Sequence, residues 1–550
     1  MDMSNVSSKY NDIITKSLLI SSGSPAVYQL TTQKEKFGTL TRKSVGERNL
    51  NQTNKTVLLV GETGAGKSTL INALFNYAMG VKFEDNIWFE IVERSQSEGQ
   101  TDEDEEEGQC DSQTSDVIVY QIFGFEGKTL PFSLTVIDTP GYGDTRGIEH
   151  DVVISQRLFD LFRSEDGVHE LDAVGLVLKA SENRLSDRLK YVFDSVKSLF
   201  GKDIEKKIVA LITNSNGITP QDALKALKVA SIKCARNESE QPIYFLFDNC
   251  QNKQRTEEDE LALEYTWKVT ERGMARFTDF LKRSTPQMLI TTVEVLRARI
   301  RLTACINNLQ DRIQLIELKH NEIQQTEDIL EKYELQMKYN KNFTIEYDEA
   351  YKEKETIKGG KWLWIFYAAA VTCNVCEENC HYPGCTMAWS PKSCEVMKRG
   401  HCTSCTRKCP VTDHVKELWI YVNKTRKVKK TLVELMQKYE GKQKERKDLL
   451  SSLKTVKEKL HKEKNVLLDE AYQHVIRLEQ IALNVNSLST HVHLDFLIEK
   501  MKERGDKEKW KQLEGMKNRE DELFTAALRY MYGKLKAVKD AMKYVNQSAV

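Results

Sequence analysis

The sequence predicts an α/β fold, a mostly parallel sheet with helices on both faces, followed by long coiled-coil helices and a small cysteine-rich module. Three observations predict it. Apolar runs of strand length alternate with helical patterns between residues 51 and 285. Beyond Pro286 two stretches without proline carry apolar residues at three- and four-residue spacing. Eight of the twelve cysteines then fall between Cys373 and Cys409.

Composition narrows the class. The 550 residues carry zero formal charge, so no global field draws the chain to nucleic acid or anionic lipid. Met1-Asp2-Met3 begins no signal peptide, and Asp2 stands where myristoylation needs glycine. The longest apolar run, Trp362–Val371, is half a membrane span and reads as a buried or interfacial helix, so no transmembrane segment is expected. A cytoplasmic protein with reduced or ligated cysteines follows. Residues 1–50 are polar, without a clear period, and read as a partly disordered leader.

The first strong element is Thr56–Val60, a buried strand, followed by Gly61-Glu62-Thr63-Gly64-Ala65-Gly66-Lys67-Ser68 and a helix from Thr69. This is G-x-x-x-x-G-K-[ST] in its proper strand–loop–helix context. Glycines let successive N–H groups face a polyphosphate, and the helix N-terminus adds partial positive charge. Lys67 is placed for the β- and γ-phosphates and Ser68 for Mg²⁺; Gly61, Glu62, Thr63, Gly64, Ala65, Gly66 and Thr69 complete the loop's binding set. Further strands are predicted at Val117–Ile122, Leu134–Ile137, Ala173–Leu178, Ile208–Ile212 and Ile243–Leu246. Helices are predicted at Val152–Phe162, Leu185–Phe200, Pro220–Cys234 and Leu261–Phe280. The third strand ends in Asp138-Thr139-Pro140-Gly141, a D-x-x-G in which Asp138 can hold Mg²⁺ through water and the Gly141 N–H can bond the γ-phosphate. The run Asp102–Glu107 reads as a mobile insertion or as a dock for a divalent ion or a basic partner.

GETGAGKSTLINALF followed by IDTPGYGDTRG resembles the septin and GIMAP branch of the TRAFAC-class P-loop GTPases, over residues 50–285. The resemblance implies GTP and Mg²⁺ as ligands, slow hydrolysis and homo-oligomerisation through the G domain. It makes Thr114 the candidate switch threonine and Mg²⁺ ligand, with Ser115, Thr101 and Ser112 as competitors, and puts Lys67, Thr114 and Gly141 in the catalytic set. Tyr142 replaces the water-orienting glutamine of Ras-like enzymes; Arg146 is an arginine-finger candidate. Thr213-Asn214-Ser215-Asn216 stands where the family has [NT]-K-x-D, so Asn216 lacks the carboxylate that reads guanine. Asn249, in Phe247-Asp248-Asn249, resembles the GIMAP base-contacting asparagine.

Arm 1 (286–360) has Val295, Leu302, Ile306, Leu309, Ile313, Ile316, Ile323 and Leu330 in register; arm 2 (415–482) has Val428, Leu432, Leu435, Tyr439, Leu449, Leu453, Val456, Leu460 and Leu467. An antiparallel hairpin or a parallel dimer satisfies these heptads, and a protein partner at the arms or tip is expected. Lys424–Lys430 reads as a solvated helix face, not a nucleic-acid site. The tip (361–414) offers Cys373, Cys376, Cys380, His381, Cys385, Cys394, Cys402, Cys405, Cys409 and His414, as two C-x2-C-x3-C units each followed by histidine. That spacing suits tetrahedral Zn²⁺. Two sites of four cysteines each satisfy the count, as do two sites of three cysteines and one histidine that draw on His381, His401 or His414. A helical segment, 483–550, ends the chain. The expected function is a slow GTPase switch or assembly factor; the alternatives are a nucleotide-binding scaffold without hydrolysis and a P-loop ATPase tether.

Overall fold

The computed structural model describes residues 3–37, 40–93, 116–141, 148–182, 186–229, 232–332, 344–357, 361–362, 366–367, 369–385, 388, 390–431, 434, 446–484, 488–518 and 530. The chain forms two compact units, one of residues 1–296, 481–488 and 519–550, the other of 297–480 and 489–518.

In the first unit the chain runs α1 (Met3–Ile14), β1 (Leu18–Ser21), β2 (Ala26–Gln29), β3 (Gln33–Phe37), β4 (Leu40–Val45), β5 (Asn54–Gly61) and α2 (Lys67–Met79). It continues through β6 (Ile87–Glu90), β7 (Ile118–Ile122), β8 (Ser133–Asp138), α3 (Ile148–Arg163), β9 (Glu170–Leu171), β10 (Ala173–Lys179) and α4 (Asp187–Leu199). Then follow β11 (Ile208–Thr213), α5 (Gln221–Val229), β12 (Tyr244–Leu246), α6 (Glu260–Arg283) and β13 (Gln287–Met288). Eight strands make the main sheet in the order β12-β11-β10-β5-β8-β7-β4-β3. All neighbours are parallel except β7 with β8 and β3 with β4. Val57, Leu58, Leu59 and Val60 of β5 are fully buried, as a central strand covered on both faces requires. Leu70, Ile71 and Phe75 of α2 and Phe277 and Leu281 of α6 join Val57, Leu59 and Val136 in one apolar cluster.

The leader expectation is corrected. Residues 3–45 supply a helix and four strands, and β4 pairs in parallel with β7 over Thr41↔Ile118 to Val45↔Ile122. Tyr10 of α1 is 1 % exposed, with its hydroxyl 2.9 Å from Gly80 O and 3.0 Å from Asp85 Oδ2. The strands escape notice because Leu40-Thr41-Arg42-Lys43-Ser44-Val45 carries polar side chains at most positions; its partner strand, not its own periodicity, makes it β. Strand β6 is a further addition to the expected set. Two buried asparagines of α2 hold it: Asn76 exchanges amide bonds with Phe89 (2.7 and 3.0 Å), and Asn72 Oδ1 accepts from the Ile91 and Val92 N–H groups.

Helix α7 (Ile290–Lys332) leads into the second unit, where β14 (Thr344–Thr356), β15 (Lys361–Trp362), β16 (Phe366–Tyr367), β17 (Ala369–Cys373) and β18 (Glu378–Cys385) follow. After these come β19 (Met397–Lys398), β20 (His401–Cys402), β21 (His414–Glu417), β22 (Trp419–Thr431), α8 (Arg446–Ile481), α9 (Leu488–Arg504) and α10 (Lys507–Lys517). The two arms are therefore not helical throughout. β14 and β22 form a 13-residue antiparallel ribbon. Lys424–Lys430 lies on a strand, not a helix face: Lys424 pairs with Glu353 and Glu355, Lys429 with Glu346, and Arg426 and Lys430 with Glu349. A Lys/Glu-rich stretch is a good helix former by itself, but here the acids of one strand meet the bases of the other. Val428 is opposite Tyr347 in this ribbon, while Leu432, Leu435 and Tyr439 fall outside the described residues. The described residues of the apolar run Trp362–Val371 lie in β15, β16 and β17, not in a helix.

Candidate functional site

Strand β5 delivers the glycine-rich loop to the carboxyl end of the parallel strands, where ligands of such sheets bind. Gly64 (φ 78°) and Gly66 (φ 91°) are left-handed, a conformation that costs a residue with a Cβ roughly 1–2 kcal/mol. Gly66 is the N-cap of α2 and offers no side-chain cap. The positive end of α2 at this loop favours an anion. Lys67 is buried, and its Nζ donates to Gly61 O (3.1 Å) and Glu62 O (2.9 Å), so the ammonium arches over the loop that Ser68 and Thr69 follow.

Neighbouring strand ends lock the loop. The Thr213 hydroxyl, at the end of β11, lies 2.7 Å from Ala65 O and 3.2 Å from Leu178 O, and the Thr139 hydroxyl donates to Leu59 O at 2.8 Å. Asp138 is fully buried opposite Leu59. Gly141 is packed so closely that a Cβ there would lie 2.2 Å from Thr63 Oγ1 and 2.4 Å from Thr63 N. Only glycine fits between the D-x-x-G turn and the loop backbone. Thr213 stands at the first position of the [NT]-K-x-D stretch, but its contact with the loop backbone shows only in the structure, as the last residue of a strand that ends beside the loop.

The base-side residues meet the same loop. Asn249 (φ 69°) donates through Nδ2 to Gly66 O at 3.1 Å, and its buried Oδ1 accepts no hydrogen bond from any described residue. A buried unpaired acceptor costs about 1–3 kcal/mol and is suited to a ligand N–H. Asn214 (φ 51°) and Asn216 are exposed. The Asn216 Oδ1 accepts from the Ile218 N–H at 3.1 Å, which closes its own turn, and its backbone oxygen accepts from the Tyr265 hydroxyl at 3.1 Å. Glu62 lies 3.9 Å from Arg188 Nε; burial raises its carboxyl pKa and the arginine opposes the rise. Lys43 of β4 is also buried, its pKa lowered by burial against the pull of Glu93 at 3.3 Å, and it feels the charge of Asp138. Neither Arg188 nor Lys43 stands out in the sequence. Thr114, Tyr142, Arg146 and the Asp102–Glu107 run lie outside the described residues.

In the second unit the cysteines of the tip converge. None of the eight is in a disulfide. Three groups bring their ligand atoms within 4.8 Å of one another: Cys373, Cys376, Cys405 and Cys409; Cys380, Cys402, Cys405 and His414; and His381, Cys385 and Cys394. Strand pairing assembles them, because β17 ends at Cys373 opposite His414 while β18 carries Cys380, His381 and Cys385. His401 belongs to none of these groups; it is exposed, with Nδ1 3.3 Å from Arg399 O. The buried Glu378 fastens the module to α7 by accepting from Arg312 Nη1 (2.5 Å), Asn308 Nδ2 (3.1 Å), and the N–H (2.9 Å) and hydroxyl (2.6 Å) of Thr406. Neither even partition expected from the spacing is observed, because one cysteine serves two groups.

Residues 51–154 match the septin family model, a span that includes both the phosphate loop and the D-x-x-G turn. The septin-like P-loop domain expected from the motifs is therefore present, and the match ends before the base-side strands where the motifs diverge. No curated protein matches the sequence. Among solved structures, Toc33 from Arabidopsis thaliana in complex with GDP and Mg²⁺ is 18 % identical, with 44 % of this chain and 89 % of Toc33 covered and a TM-score of 0.29. Toc33 with Mg²⁺ and GMPPNP gives 18 % identity, 43 % and 88 % coverage and a TM-score of 0.28.

Proposed function

We propose that the P-loop unit binds GTP with Mg²⁺, hydrolyses it slowly, and acts as a nucleotide-dependent switch or assembly factor that self-associates through this unit. The observation that carries the reading is Gly141 seated against the Thr63 backbone. A D-x-x-G turn in direct contact with the phosphate loop can sense a γ-phosphate through its own N–H. In this reading Lys67 neutralises the β- and γ-phosphates, Ser68 ligates Mg²⁺, Asp138 holds its water shell, and Asn249 offers its unpaired oxygen to the base. Mg²⁺ supplies charge neutralisation and a template for the phosphates. The second unit would present the ribbon and a zinc-stabilised tip to a protein partner, in the cytoplasm.

A second reading, a nucleotide-binding scaffold without hydrolysis, is favoured by Asn216, whose oxygen is engaged in its own turn. Titration of the full chain with fluorescent GTP, ATP and XTP, with phosphate release measured in parallel, separates the two. GTP-selective binding with turnover that Lys67→Ala abolishes is the expected result. Binding without turnover above buffer moves the scaffold forward. Unselective binding that becomes GTP-selective in Asn216→Asp would mean that base reading has been lost.

A further inference from the structure

Seven residues of the tip form two overlapping ligand groups, with Cys405 common to both. We infer that they hold two zinc-class divalent ions bridged by the Cys405 thiolate. The inference rests on the metal reading proposed above and deepens it. Two tetrahedral ions with no shared ligand need eight protein ligands, whereas two that share one thiolate need seven. Seven are in place, three private to each ion and one common. Without the bridge, one ion would keep an open position that water must fill, inside a cluster whose members are all buried except Cys376.

Local geometry agrees with this. Two thiolates on one tetrahedral Zn²⁺, each at about 2.3 Å, lie about 3.8 Å apart, and Cys376 Sγ and Cys409 Sγ are 3.6 Å apart. Backbone N–H groups already point at the sulfurs: Cys376 to Cys373 Sγ at 3.3 Å, Ser404 and Cys405 to Cys402 Sγ at 3.3 Å, and Cys409 to Cys405 Sγ at 3.2 Å. A thiolate with one such donor retains lone pairs for two metals. His414 donates from Nδ1 to Pro410 O at 2.9 Å, which fixes the tautomer and frees Nε2. That Nε2 is buried and bonds to no described residue, so the cluster is where its lone pair is used. On loading, the six thiols release six protons; six thiolates and two divalent ions leave a formal charge of −2, which the N–H donors offset. His381, Cys385 and Cys394 share no ligand with this pair. Their sulfurs are 3.8 Å apart, and they make a separate position for one ion.

The test uses the full chain produced in zinc-depleted, cobalt-supplemented medium, with bound cobalt counted by elemental analysis and low-temperature EPR intensity integrated per cobalt. A thiolate-bridged pair is exchange-coupled and loses signal. With all positions filled, the intensity per cobalt is expected to fall to about one third of that of isolated ions, the remainder coming from the His381 position. Cys405→Ser is expected to lose bound metal and to restore the intensity per remaining cobalt. If that variant does not fold, the wild-type spin count still decides. Cobalt bound in stoichiometric amount with full intensity per ion overturns the bridge and leaves the metal module standing. A chain that retains no metal overturns both.

Discussion

Substituting Gly141 by alanine tests the link between the D-x-x-G turn and the phosphate loop. The added Cβ would sit 2.4 Å from Thr63 N and 2.5 Å from Thr63 Cα. Ordinary contact requires about 3.5 Å, so one of the two loops must move by about 1 Å. A displacement of that size at a reacting centre costs on the order of 100-fold, or about 2.7 kcal/mol. The strain on the fold itself is about 1–3 kcal/mol. Titration with fluorescent GTP and steady-state phosphate release, alongside a thermal melt, separates the two effects. Thr63→Ala gives the decisive control. It removes the Oγ1 contact at 2.2 Å but leaves the backbone contacts, so the double variant should remain as impaired as Gly141→Ala alone. A Gly141→Ala protein with wild-type affinity and turnover, or full rescue by Thr63→Ala, would refute the reasoning.

Other consequences can be checked on the same chain. Tyr10→Phe should cost about 1–2 kcal/mol by removing the hydroxyl between Gly80 O and Asp85; an unchanged melt would mean that these two hydrogen bonds add nothing to the domain. Glu349→Gln should destabilise the ribbon by about 1–2 kcal/mol, because its buried carboxylate takes both Arg426 and Lys430 at 2.8 Å. The deficit should shrink at high salt, and a deficit independent of ionic strength would argue against a charge origin. Burial pulls the pKa of His493, whose ring faces the Thr303 hydroxyl at 3.3 Å, down to about 4. The unfolded chain then binds a proton that the native state refuses, so the contribution is complete above pH ~6.5 and is lost as pH falls towards 4, by about 3 kcal/mol at most. Denaturant unfolding of His493→Gln should show a correspondingly flatter acid limb, and parallel limbs would exclude His493 as the cause.

The strongest elements of the first unit are readable because their signals are local. β5, β8, β10 and β11 are continuous apolar runs, and each lies within a residue or two of its expected span. The glycine loop and the D-x-x-G turn are readable because phosphate chemistry demands particular residue types at fixed spacing. The antiparallel ribbon is not: β14 is rich in Glu and Lys, the β-branched and aromatic residues of β22 are interspersed with Lys and Arg, and only their mutual register turns Glu349, Arg426 and Lys430 into a strand pair.

The sequence by itself determined the parallel core, the phosphate-loop chemistry and the presence of a metal-type cysteine module, because each is written in residues adjacent along the chain. Tertiary structure alone decided that residues 3–45 belong to the domain, that Thr213 and Gly141 brace the loop, and that Cys405 stands between two ligand groups. Those facts depend on pairings between segments far apart in sequence, where no local period records which partner a residue will meet.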